Sequence, residues 1–181
     1  WALEPEVLKG YAKHWKTGEP IPDALVAKIG KSELYGQGFA TVEYTAASYL
    51  DMNWHTLTEP KEQDATAFEK ASLAKIGLIP EIVSRYRSPY FSHIFGGGGG
   101  YSAGYYSYLW SEVLDSDAFE AFREKGIFDP ATATSFRRNV LEKGGTAEAM
   151  SLYKAFRGRE PLVEPLLVKR GLARTPTAKT N

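Results

Sequence analysis

Ser92-His93-Ile94-Phe95, then five glycines from Gly96 to Gly100, then Tyr101-Ser102-Ala103-Gly104-Tyr105-Tyr106-Ser107-Tyr108-Leu109-Trp110-Ser111-Glu112: the rest of the chain is organised around this stretch. It sets a histidine, a glycine run that no ordinary helix tolerates and a tyrosine-rich segment within about twenty residues. At 3.6 residues per turn, a helix over residues 101–112 places Tyr101, Tyr105, Tyr108 and Glu112 within about 60° of one another. Three phenol hydroxyls then point the same way. Tyr106, Trp110 and Val113 fall roughly 100 to 160° away, on a face suited to packing.

Working outward, the periodicity on both sides is helical. Upstream, Pro5 opens a helix carrying Val7, Leu8, Tyr11, Ala12 and Trp15 until Gly18. A short helix over residues 24–29 stops at Gly30. Residues 39–57 form the longest helix, although Thr41-Val42-Glu43-Tyr44-Thr45 has β-branched character and leaves a strand as the alternative there. Residues 65–76 make a further helix closed by Gly77, and residues 90–94 read as a brief strand or an extended lead into the glycines. Downstream, helices are expected over residues 117–125, 130–143 and 146–157, the last with Thr146 as N-cap, and from Glu160-Pro161 to near Gly171. The fold class is mainly α, with about eight helices and no internal repeat. Residues 173–181 are polar, contain Pro176 and read as a mobile tail.

Composition narrows the function classes. The 181 residues carry no net charge at pH 7, which gives no basis for electrostatic capture of nucleic acid or an anionic membrane. There are no cysteines, so disulfides and thiolate metal sites are excluded and the compartment stays open. No apolar run approaches the roughly 18 residues of a membrane span. The chain begins at Trp1 without an initiator methionine or a signal pattern, and reads as a piece of a longer protein.

His14, His55 and His93 are isolated, and none sits in an H-E-x-x-H helix, so no metal ligand is assigned within this chain. The glycine run feeding a helix resembles a phosphate loop in layout, but lacks the Lys-Ser/Thr that completes one. It remains a flexible loop whose backbone can approach a ligand closely. Tyrosines on a helix often only pack with their hydroxyls at the rim. Coming straight after the histidine and the glycines, they are also placed to donate to a developing oxyanion. Arg85 and Arg87 are candidates for a substrate carboxylate or for surface ion pairs.

At these residues the chain resembles the M3 zinc metallopeptidases, the thimet oligopeptidase family, and within it the bacterial peptidyl-dipeptidase branch. The likeness extends through residues 1–17 with Pro5-Glu6-Val7-Leu8 and Tyr11-Ala12-Lys13-His14, and through Leu50-Asp51-Met52-Asn53-Trp54-His55. Arg85-Tyr86-Arg87-Ser88, Gly158 and Lys169-Arg170-Gly171-Leu172 follow in the same order. The resemblance implies that residues 1–172 are the C-terminal, multi-helical part of a zincin-like catalytic domain. It implies a zinc cofactor held by an H-E-x-x-H helix and a later glutamate, all upstream of Trp1. His93 matches the family's histidine at the start of the glycine loop, and Gly97 and Gly98 its substrate-binding glycines. Tyr101 matches the tyrosine that closes the loop on substrate; Tyr105 and Tyr108 match the pair facing the zinc. Tyr108 is then the first donor to the tetrahedral intermediate, with Tyr105 assisting. Relatives have two or three glycines where this chain has five.

The implied activity is release of C-terminal dipeptides from peptide substrates by zinc-activated water, with this piece inactive alone. Its expected partners are peptides, the upstream part of the same polypeptide and, through apolar surfaces that faced that part, further copies of itself. The alternative from another class is a non-catalytic α-helical module whose tyrosine face binds a peptide or protein.

Overall fold

The computed structural model describes residues 1–173, so the expected tail, apart from Ala173, lies outside the described residues. These are helical throughout apart from loops, and their one β feature is an isolated antiparallel bridge between Lys13 and Pro20. No helix among them is long and apolar enough to cross a membrane. Residues 1–37 and the residues from 38 onward form two compact units.

In the first unit, α1 (Pro5–Tyr11) begins on a proline, whose missing N–H is harmless in a first turn. The expected continuation to Trp15 does not form. Instead the His14 N–H donates to the Glu19 carbonyl at 2.7 Å and the Ile21 N–H to that of Ala12 at 2.8 Å, folding the chain back. α2 (Asp23–Glu33) passes through Gly30, the expected stop. A single internal glycine weakens a helix by only about 1 kcal/mol, less than the bonds on either side supply. An ion pair joins Lys9 to Asp23.

The second unit is built on α3 (Gln37–His55), which stays helical through the β-branched stretch at 41–45. Its buried face presents Ala46, Ala47, Leu50 and Asp51. Ala47 packs with Phe91, Ile94 and Tyr105 in one cluster, flanked by Tyr44 and Tyr86. α4 (Ala65–Lys75) starts where the Asp64 carboxylate accepts the Thr66 and Ala67 N–H groups, both at 2.9 Å. Its Glu69 is buried and turned toward the next loop, accepting from Arg87 Nε at 2.6 Å and the Ser88 N–H at 2.7 Å. Trp54 stacks on Phe68 and donates to Ser88 Oγ at 2.9 Å, so the same loop is held from α3 as well.

Residues 90–94 are neither strand nor extended. A 3₁₀ turn, Ser88–Tyr90, leads into α5 (Ser92–Phe95), because Pro89 in a first turn favours a helical start. The expected helices at 101–112 and 117–125 are one, α6 (Ser107–Lys125), which starts later than the periodicity implied. Nothing between Val113 and Ser116 breaks a helix. Of the expected packing stripe only Val113 is buried. α7 (Pro130–Phe136) widens into a π-helical turn, Arg137–Leu141, and α8 (Ala149–Arg157) is capped by Glu148 rather than Thr146. The longer Glu148 side chain reaches both Met150 and Ser151 N–H groups, at 3.0 and 2.7 Å. α9 (Glu164–Lys169) is shorter than expected and packs on α6.

Asp117 of α6 is fully buried and ties this end together. It accepts from the Tyr153 hydroxyl at 2.5 Å and from both Arg159 Nη atoms at 2.7 and 3.0 Å. Its own carbonyl takes Arg157 Nε at 3.2 Å. Asp117→Ala is expected to lower stability by about 3 kcal/mol or more, since it strands the Arg159 guanidinium and a buried phenol, while Arg157 keeps the backbone carbonyl and Glu124. Tyr153→Phe should lose only about 1 kcal/mol. Urea unfolding of the two variants checks the ranking.

Candidate functional site

The site begins with a carboxylate inside α3. Asp51 is 0 % exposed, and its two oxygens accept the Ala103 N–H at 3.0 Å and the Tyr105 N–H at 2.9 Å. His55 Nδ1 lies 2.8 Å from the same carboxylate. These bonds explain the late start of α6. Ala103 is held at φ 55°, outside helical geometry, and residues 101–106 form successive turns instead. Tyr101 therefore does not share a helix with Tyr105 and Tyr108, and Tyr105 sits just before the helix.

Five rings surround that of Tyr105. Tyr44 stacks on it at 5.0 Å and 29°, with its hydroxyl 3.4 Å from the Tyr105 carbonyl. Phe91, Tyr86, His93 and Tyr108 stand at 5.2, 5.8, 5.9 and 5.8 Å between ring centroids. His93 itself lies edge-on to Tyr86 and Phe91, both at 5.0 Å. The structure thus brings His93, Tyr105 and Tyr108 together. Among the described residues, the ring contacts do not extend to Tyr101, which is 71 % exposed. Tyr105 is 6 % exposed and Tyr108 64 %, so the first forms the floor and the second faces outward.

Burial pushes the Tyr105 phenol up, with the positive charge of Arg85 pulling the other way. Burial, with the neighbouring Tyr105, Tyr108 and Glu112, pushes Tyr44 up to about 12. Both are therefore protonated, donating phenols at neutral pH. Arg87, the other arginine singled out from sequence, is taken up by Glu69. Glu112, at the far end of the tyrosine face, pairs with Arg170 of the segment after α9, whose Nη1 also donates to Thr41 Oγ1 at 3.0 Å.

The glycine run forms the rim. Gly97, Gly98 and Gly99 take φ values of 67, 73 and 84°, a succession that side chains would strain. Ser102 Oγ donates to the Ile94 carbonyl at 2.9 Å, closing the neck of the loop. Among the described residues no three His, Asp or Glu side chains converge as metal ligands. A cavity of about 580 Å³ lies elsewhere, between Trp110, Leu114, Phe136, Val140 and Met150, and is mainly apolar.

Sequence reasoning missed Asp51 and Tyr44 as parts of the site. Asp51 gave one signal, a lone acid among Leu50, Trp54 and Ala47 on the buried side of an amphipathic helix. Tyr44 gave none beyond its period.

Residues 1–172 match peptidase family M3. The dipeptidyl carboxypeptidase of Salmonella typhimurium is 42 % identical over 176 residues, covering 96 % of this chain and 26 % of that protein. Oligopeptidase A of Escherichia coli is 40 % identical over 174 residues, covering 95 % of this chain and 25 % of that protein. Saccharolysin of Saccharomyces cerevisiae is 29 % identical over 175 residues, covering 95 % of this chain and 24 % of that protein. The chain spans about a quarter of the length of these curated relatives. With the match running from Trp1 to Leu172 through the glycine rim and the tyrosine floor, the chain belongs to peptidase family M3.

Proposed function

We propose that this chain is one wall of the active site of a zinc-dependent peptidyl-dipeptidase, and that Tyr108, assisted by Tyr105, stabilises the oxyanion formed when a peptide carbonyl is attacked. The observation that carries this is the pairing of an outward Tyr108 with a buried, protonated Tyr105 at 5.8 Å, beside His93. A neutral phenol donates to negative charge, and a donor on a rigid floor needs no reorganisation as that charge develops. Zinc, held by residues outside this chain, would supply an activated water. The chain's own groups act on the peptide. His93, Gly97, Gly98 and Tyr101 bind substrate along the rim, Tyr101 from its exposed position closing over it.

Release of C-terminal dipeptides, as opposed to internal cleavage, requires a receptor for a free carboxylate. Arg85 is the candidate, because its guanidinium bears on the Tyr105 phenol whereas Arg87 is committed to Glu69.

In the full-length, zinc-loaded protein, Tyr108→Phe should lower kcat by about 10² to 10³ with little change in KM or zinc content. Unaltered cleavage would remove the catalytic assignment. Arg85→Gln should raise KM by about tenfold or more for peptides with a free C-terminal carboxylate and hardly at all for their amides. Equal effects on both substrates reject the carboxylate role. The pH dependence has a definite sign. Tyr44 has a folded pKa raised above the ordinary tyrosine value, so the stability it contributes is present below pH 10 and is lost as pH rises toward 12. Tyr44→Phe should flatten that part of a stability profile measured in urea.

A further inference from the structure

The glycine rim is fastened at both ends to one turn of α3. On its leading side Phe95 lies edge-on to Trp54 at 5.7 Å and beside His55 at 5.6 Å. On its trailing side the amides of Ala103 and Tyr105 are held by Asp51, and His55 Nδ1 bonds that same carboxylate. The two amides precede the first turn of α6, whose N-cap is Tyr106, so Asp51 is not capping that helix. It holds a turn that contains an alanine at φ 55°, a conformation L residues rarely adopt. A carboxylate with no solvent exposure is tolerable only when its lone pairs are taken, and here three donors take them.

We infer that Asp51 is a positioning residue for the reaction: through the Ala103 and Tyr105 amides it sets the height of the tyrosine floor and confines loop movement to residues 96–102. The catalytic part of this inference rests on the proposed role of Tyr105 and Tyr108; the clamp itself does not. Asp51 touches no substrate. Its effect travels through the backbone of Tyr105, the residue whose phenol forms the floor. His55 completes the arrangement by orienting the carboxylate and by backing Phe95, so both ends of the rim depend on the same pair.

The test is amide hydrogen exchange on the full-length protein, read residue by residue, alongside steady-state kinetics. Asp51→Asn keeps the shape but turns an NH₂ toward at least one donor. Exchange at Ala103 and Tyr105 should accelerate about 10- to 100-fold, the range for losing a hydrogen bond to a charged group, while α4 and α8 keep their protection. Unchanged exchange at these two amides, or equal acceleration throughout the protein, overturns the clamp. His55→Gln leaves the carboxylate in place and should accelerate the same two amides to a smaller degree; it decides the question by the same criterion should Asp51→Asn not fold. In kinetics, Asp51→Asn should lower kcat about tenfold or more with KM nearly constant, and should add little in a Tyr105→Phe, Tyr108→Phe background. An equal loss in both backgrounds overturns the positioning role. If Tyr108→Phe leaves cleavage intact while Asp51→Asn still frees the two amides, the tyrosine assignment falls and the clamp stands.

Discussion

The buried carboxylate of Asp51 is the constraint on which the site's geometry depends. A charge taken out of water demands partners, and those within reach are the amides of a segment more than fifty residues away in sequence and one imidazole a turn along its own helix. Meeting that demand bends residues 101–106 out of helical geometry and delays α6 to Ser107. The aromatic cluster then closes over the result. Tyr105 enters the core between Tyr44, Tyr86, Phe91 and His93, and Tyr108, one turn further on, is left facing outward.

The same device recurs elsewhere in the second unit. Glu69 reaches from α4 to Arg87 and the Ser88 amide, and Asp117 reaches from α6 to Tyr153 and Arg159. In each case a buried acid on a helix fixes a loop or a second helix. Losing any one of the acids leaves donors stranded, which makes such nodes more sensitive to substitution than an apolar contact of similar size.

Much of the helical architecture was legible from local signals. Gly77 closes α4, Pro5 opens α1 and Pro130 opens α7, and each boundary is a matter of backbone chemistry within a few residues. The start of α6 was not legible, because a partner distant in sequence sets it. Periodicity placed Tyr105 and Tyr108 side by side, as their rings are, but extended the helix back to Tyr101, where glycine-rich turns take over. The likeness to the M3 family pointed to the segment where the rings gather. It runs through Asp51 as well, but a one-dimensional reading does not join that acid to two amides more than fifty residues further on.

The three consecutive left-handed glycines have a consequence for selectivity. From Gly96 to Gly100 the rim has no side chain at all, so anything lying along it meets only peptide groups and Cα hydrogens. Such a surface reports on the path of an approaching strand and is indifferent to the identity of its residues. For a peptide bound along the rim as proposed, discrimination among amino acids would have to come from other walls, and a longer glycine run would alter reach without altering preference.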